Sequence, residues 1–244
     1  MWLYLLTWTL LIYNLNSEHD KKFSYFIRFG SMCQLKSFER FDHERFYPED
    51  IIVKNALIGV HNCLRNNIRF INQAFPKGTN LLKMKWDDKL SEMAAEYVRQ
   101  CVKKPDCYKY NYTDDTQVEQ NFKAVVHNKN YEVNDPVLRF ANIIKEWAFE
   151  IKDLPGSIVQ NFQPDNSPEN DWVNLFRATT YKVGCAIVTF QLNNEKFKEI
   201  YACNYAPAKL KNGEEIYKKG ETKWCTECPA EMKCHRRWFR LCGK

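Results

Sequence analysis

Val183-Gly184-Cys185-Ala186-Ile187-Val188-Thr189-Phe190, followed after eight residues by Glu199-Ile200-Tyr201-Ala202-Cys203-Asn204-Tyr205, decides the fold class. Both runs are rich in β-branched and aromatic residues, and Gln191 to Lys198, with Asn193-Asn194 at its centre, supplies a turn between them. Cys185 and Cys203 lie equally far from Asn194. An antiparallel hairpin without a net bulge therefore sets them opposite each other, within disulfide reach. The chain before this hairpin reads as helices and loops and the chain after it as a short cysteine-rich tail, so the expected class is α+β.

Working upstream, Pro48-Glu49-Asp50 opens a helix that carries Leu57, Val60, Leu64, Ile68 and Ile71 on one face, so a helix is expected over Asp50 to Ile71. Asp87 can cap the next helix, whose inward stripe is Leu90, Met93, Ala94, Tyr97, Val98 and Cys101. Lys103 to Asn134 reads as a polar interval containing His127 and the Asn111-Tyr112-Thr113 acceptor for N-linked sugar. Asp135-Pro136 then pairs a capping carboxylate with proline at the first helical position. It leads into Val137, Phe140, Ala141, Ile144, Trp147, Ala148 and Ile151. Residues 153–170, with Pro155-Gly156, Pro164 and Pro168, read as a long loop.

The chain has 244 residues with 36 Lys+Arg against 30 Asp+Glu, and its mean hydropathy of −0.56 excludes a polytopic membrane protein. Ten cysteines imply an oxidising compartment and up to five disulfides. Residues 1–17 contain the apolar run Trp2 to Tyr13, too short to span a bilayer comfortably and of signal-peptide size; an uncleaved anchor is the alternative. The expected organisation is a signal peptide (1–17), an N-terminal extension (18–47), a main domain (48–208) and a cysteine-rich basic tail (209–244). From Ala208 to Lys244 there are ten Lys+Arg and five Asp+Glu, so the tail holds +5 of the net +6. Its aromatic, basic end, Cys234-His235-Arg236-Arg237-Trp238-Phe239-Arg240, is of a kind that binds sulfated sugars, an anionic membrane surface or nucleic acid. The ordinary alternative is a solvated, disulfide-stapled appendix, and nucleic acid is not expected for a secreted chain. Cys225, Cys228, Cys234 and Cys242 with His235 do not have the spacing of a common zinc finger, so they too read as disulfide partners.

Four blocks, in order, resemble the CAP superfamily of venom-allergen and pathogenesis-related proteins. His61-Asn62-Cys63-Leu64-Arg65 looks like its H-N-x-x-R, and Leu82 to Leu90 with Ala94-Ala95 and Cys101 is similar to its second-helix block. Glu119-Gln120-Asn121-Phe122 resembles its G-[EQ]-N, and Tyr201 to Ala208 resembles its closing C-N-Y-x-P. The resemblance implies a three-layer α–β–α sandwich. It also implies a cleft where two histidines and two glutamates can hold a divalent metal. Here Gln120 stands for the first glutamate, Glu150 matches the second, Asp171 replaces one histidine, and Lys104-Pro105-Asp106 occupies the place of the other. No metal or other cofactor is expected from this depleted set. By the same resemblance Cys101 bridges to Cys33 in the N-terminal extension, which leaves Cys63 and Cys107 to each other.

Catalysis is not expected either. No serine-hydrolase elbow, H-E-x-x-H or phosphate-binding glycine loop is present, and His61 reads as a packed histidine bonded to backbone. Relatives that this chain resembles carry fatty acids or eicosanoids between their first and last long helices, and sterols near an aromatic loop whose place here is residues 153–170, with Phe162 as its aromatic residue. Those helices here would line a groove with Leu57, Val60, Leu64, Phe140, Ile144 and Trp147, although the same stripe is needed merely to pack the helices. The expected function is a secreted, non-enzymatic protein that binds small lipids or modulates an extracellular target, the alternative being a receptor- or channel-directed effector acting through its loops and basic tail. No transmembrane anchor is expected.

Overall fold

A computed structural model describes residues 51–99, 116–128, 135–163, 170–208 and 211–244. In chain order the elements are α1 (Ile51–Asn66), a single turn α2 (Ile68–Ile71), β1 (Lys77–Gly78), β2 (Lys85–Trp86), α3 (Asp88–Arg99) and β3 (Glu119–Asn128). They continue with α4 (Pro136–Phe149), a 3₁₀ turn (Gly156–Val159), α5 (Asp171–Phe176), β4 (Lys182–Gln191), β5 (Lys196–Ala206), β6 (Lys219–Gly220), β7 (Lys233–Cys234) and β8 (Cys242–Gly243).

β4 and β5 form the hairpin, in the register Cys185↔Cys203, and those two cysteines are joined by a disulfide. Asn193 closes the turn by accepting from the backbone N–H groups of Glu195 and Lys196. β2 adds parallel to β4 and β3 antiparallel to β5, giving a four-stranded sheet in the order β2-β4-β5-β3. Both faces of the hairpin are covered, which is why its strands read as continuous apolar runs rather than as alternation. Ala186, Val188, Ile200 and Ala202 pack with Ala94, Tyr97 and Val98 of α3. Cys185, Ile187, Tyr201, Cys203 and Tyr205 face the opposite way, into a larger core with Leu57 and Leu64 of α1 and Phe140, Ile144 and Trp147 of α4. The result is three layers, α3 over the sheet over α1, α4 and α5. Gly184 sets the first spacing: a Cβ there would lie 2.2 Å from the Ser91 nitrogen and 2.5 Å from the Asp87 carbonyl oxygen, so the start of α3 rests directly on β4.

The caps act as their residues dictate. Asp87 accepts from the Leu90 N–H at 3.1 Å, and Asp135 accepts from the Val137 N–H at 2.7 Å with Pro136 at the first helical position. Two expectations are corrected. The first helix does not run unbroken to Ile71, because the backbone leaves helical dihedrals at Asn67 (φ −117°, ψ 24°), whose side-chain amide shares the Cys63 carbonyl with its own N–H. The interval expected to be a polar loop contains β3, which pairs with β5 from Glu119↔Tyr205 to Asn128↔Lys196; His127 is therefore a buried strand residue. No helix among the described residues is long and apolar enough to cross a membrane. The expected signal segment 1–17, the glycosylation acceptor Asn111, and Cys33, Cys101 and Cys107 lie outside the described residues.

Candidate functional site

The His61-Asn62-x-x-Arg65 block sits on the last two turns of α1, and all three named side chains are buried. His61 Nδ1 faces the Leu57 carbonyl at 2.8 Å, so it carries the proton and donates; Nε2 is left to accept from the Tyr205 hydroxyl at 3.1 Å. Burial pulls the His61 pKa down to about 4, so the ring is neutral at physiological pH. Asn62 donates to the Met84 carbonyl at 2.9 Å and accepts from the Met84 N–H at 2.8 Å. The Arg65 guanidinium donates to the carbonyls of Leu82, Leu175 and Arg177. These bonds tie α1 to β5, to the segment before β2 and to the end of α5. Together they act as a clamp, in which the recorded side-chain bonds of His61, Asn62 and Arg65 each cross to another segment or hold the helix itself.

Tyr205 connects this clamp to the aligned metal positions. Its hydroxyl pKa is raised well above the usual value, first by burial and then by the Asp171 and Glu150 carboxylates, so it remains a donor. Glu150, at the C-terminal end of α4, accepts from the Trp172 N–H at 3.1 Å, satisfying one of the free donors at the start of α5. Asn121 of β3 donates to the Asp171 carbonyl at 2.9 Å and accepts from the Asn174 side chain at 2.8 Å, binding the same short helix through its first and fourth residues. Gln120 points to the opposite face of the sheet, where it donates to Asn204 at 3.0 Å; Asn204 in turn donates to the Leu90 carbonyl of α3. The structure thus brings Glu150 and Asp171 together near Tyr205 and separates Gln120 from them.

The apolar stripe is core. Leu57, Leu64, Phe140 and Ile144 have 0% exposure and Trp147 has 1%, all within one cluster, while Val60 packs half-buried against its edge. Cys63, next to this stripe, forms no disulfide among the described residues.

A second polar centre has no precedent in the sequence reading. Glu199 of β5, fully buried, receives two bonds from the Arg139 guanidinium, at 2.7 and 2.6 Å, one from Thr189 at 3.1 Å and another from the Tyr201 hydroxyl. His127 Nε2 lies 3.1 Å from the same carboxylate, and its ring stacks on Phe197. Burial lowers the His127 pKa despite the neighbouring carboxylate. The one available signal was Arg139 on an otherwise apolar helix face, where a guanidinium requires an anion.

The tail is a docked module and not a solvated appendix. Disulfides Cys225–Cys234 and Cys228–Cys242 cross-link it. β6 pairs with β1, and the Cys242 carbonyl accepts from the Lys83 N–H. Arg240 reaches the C-terminal end of α1, donating from its guanidinium to the Asn66 carbonyl at 3.1 Å and the Asn67 side chain at 3.2 Å. The same guanidinium lies 5.6, 5.2 and 4.9 Å from the rings of Phe70, Trp224 and Phe239.

Residues 58–205 match the cysteine-rich secretory protein family, CAP, and thus cover more than half of the chain. The chain belongs to the CAP family. It is 29% identical over 184 residues to Venom allergen 5 of Tityus serrulatus, covering 74% of this chain and 43% of that protein, and 28% identical over 199 residues to Venom allergen-1 of Aedes albopictus, covering 80% and 73%. It therefore spans less than half the length of the scorpion relative. Among solved structures it resembles Na-ASP-1 (TM-score 0.59, 22% identity, 78% of this chain and 47% of that one) and Hookworm Platelet Inhibitor (TM-score 0.55, 21% identity, 87% and 96%). These likenesses show the CAP fold.

The metal that the CAP resemblance implies does not fit the residues present. A divalent ion held by imidazoles and carboxylates needs its ligands convergent and free to coordinate. Gln120 offers an amide on the wrong face of the sheet, Asp171 stands where an imidazole is implied, and Glu150, one of whose oxygens accepts a backbone N–H, is the one carboxylate left from the implied pair of glutamates. Among the described residues the groups that cluster closely enough for an ion are His61 with Cys185 and Cys203, and Cys225 with Cys228 and Cys242; in both, the sulfurs belong to disulfides and offer no thiolate.

Proposed function

We propose that the chain is a secreted, non-catalytic CAP protein that acts by binding an extracellular target on its outer surface. The observation that carries this reading is the engagement of the interior. The residues at the family's metal positions serve as helix caps and cross-strand ties, and the stripe expected to line a lipid groove is packed core. Three disulfides among the described residues support an oxidising compartment. Small-lipid carriage, expected from the resemblance, would require α1 and α4 to part and give up the packing of Leu57, Leu64 and Trp147 against one another.

The test is expression of the full chain in a eukaryotic host, with the protein recovered from the medium. Expected are less than stoichiometric zinc after dialysis, no retention of labelled palmitate at micromolar concentration, and saturable binding to at least one member of a panel of cultured cells and matrix proteins. Stoichiometric zinc, one palmitate per chain, or absence of binding across the panel would each overturn the reading.

A further inference from the structure

Phe70 and Phe239 come from opposite ends of the described chain, yet both rings flank the Arg240 guanidinium. They are 62% and 56% exposed and are two of the five large apolar side chains left exposed among the described residues. Each ring lies within cation–π reach of the Arg240 guanidinium, yet more than half of each stays in water, and two such rings about one guanidinium mark this corner as a candidate interaction surface. The tail nearby is predominantly basic. Residues 231–244 contain Lys233, Arg236, Arg237, Arg240 and Lys244 against Glu231 alone, which pairs with Lys244 at 3.1 Å. Lys233, Arg236 and Arg237 are exposed. The patch extends onto the main body, where Lys83 lies 3.3 Å from His235 and Arg237 is close enough to Cys63 of α1 to act on its thiol.

The patch is also rigid. His235 Nδ1 accepts from the backbone N–H groups of Arg237 and Trp238, at 3.2 and 3.1 Å, and so fixes the turn that presents the two arginines. Arg237 lies 5.0 Å from the Trp238 ring. Arg240 is held by Asn66 and Asn67, which fixes the guanidinium that both Phe70 and Phe239 flank. The disulfides on either side, Cys225–Cys234 and Cys228–Cys242, hold the base of this loop.

We propose that this corner is a docking surface for anionic phospholipid bilayers, with Phe70 and Phe239 entering the interface and Arg236, Arg237 and Lys233 meeting lipid headgroups. This rests on the reading that the chain acts from its outer surface. Charge alone would suit a sulfated glycan equally well; the paired apolar rings select the bilayer, because a polysaccharide offers them no apolar medium whereas the headgroup–acyl boundary does. Anionic lipid is concentrated on the cytoplasmic side of cell membranes, so an extracellular protein with such a surface discriminates cells or particles that display it outside.

The experiment is co-sedimentation of the full chain with vesicles of phosphatidylcholine alone and of phosphatidylcholine with about one-third phosphatidylserine. Binding is expected to the second only. Arg236→Ser/Arg237→Ser should weaken it about thirtyfold. Phe239→Ser should weaken it about tenfold and make the remainder more sensitive to salt. Phe70→Ser, from a different segment, should reproduce the Phe239→Ser result, and near-UV circular dichroism verifies that each variant is folded. Absence of vesicle binding, equal binding to both compositions, indifference to both phenylalanine substitutions, or tighter binding to heparin that displaces the vesicles would each overturn the proposal. Cell binding that persists in the Arg236→Ser/Arg237→Ser protein refutes the membrane surface and leaves the surface-binding reading standing; absence of any target for the unaltered chain defeats that reading itself.

Discussion

From Val183 to Phe190 nearly every side chain is buried, alternately against α3 and against the α1–α4 layer, whereas from Lys219 to Lys244 only Leu241 and Cys242 are. The sheet is held by packing on two faces and carries one disulfide, which spans 18 residues of a hairpin already in register. The C-terminal module has almost no interior of its own. It carries two disulfides in 18 residues and takes the rest of its order from β1, Asn66 and Asn67. A structure built on apolar area fails when its spacing is disturbed, and a structure built on cross-links fails when the links are removed.

The largest effect should come from disturbing the sheet's spacing. Gly184→Val would drive a side chain into the backbone of Asp87, Leu90 and Ser91, which cannot move without lifting α3 from the sheet. A loss of more than about 4 kcal/mol is expected, read as loss of the cooperative urea transition or of secreted yield. Arg65→Met ranks next. It would leave the Leu82, Leu175 and Arg177 carbonyls without their donor in a dry interior, costing about 3 kcal/mol in chemical denaturation. Retention of stability in either variant would show that packing on the α3 side, or the clamp at α1, matters less than the geometry implies.

The same contrast explains what the sequence discloses. A strand covered on both faces writes itself as an apolar run, and Asp87 and Asp135 mark helix starts because a carboxylate beside free N–H groups is a local event. β3 is an edge strand with Lys123, Ala124 and Val126 exposed, so its ten residues carry no alternation, and its existence is set by β5. The pairing of Arg139 with Glu199, 60 residues apart, is likewise invisible to any local pattern. At the candidate site, alignment with the family's motifs points to Glu150 and Asp171, but that Glu150 caps α5 depends on where that short helix begins. The docking of Arg240 on Asn66 and Asn67 joins segments 173 and 174 residues apart and is a tertiary fact only.

Acid should separate the two regions further. His61 is folded with a pKa of about 4 against an ordinary 6.5, so on acidification the unfolded chain takes up this proton first. Its contribution therefore falls as pH drops from about 6.5 to 4, by about 3 kcal/mol in total, and changes no further below that. His127, also lowered, acts in the same direction. Both histidines belong to the packed body, so the loss should appear in the global transition. The difference in unfolding free energy between the unaltered chain and His61→Gln, followed from pH 7 to 4, isolates the first contribution; a constant difference would mean that the ring takes up its proton without cost in the fold.

The smallest global effect is expected where cross-links replace packing. Removing Cys225–Cys234 as the double serine variant frees a loop of nine-residue separation, worth about 2–3 kcal/mol by loop-closure entropy. That energy belongs to the module, which is joined to the body by the β1–β6 pair, backbone bonds at Thr79, Leu81 and Lys83, Leu241 in the main core and the Arg240 bonds, none of them made by Cys225 or Cys234. Hydrogen exchange should therefore accelerate from Lys219 to Lys244 while the amides of β4 and β5 keep their protection and the main melting transition moves by no more than a few degrees. If instead the sheet amides lost protection in parallel, the module would have to be transmitting its order through Asn66 into α1. The body and the tail would then be one cooperative unit, joined at the Arg240 contact.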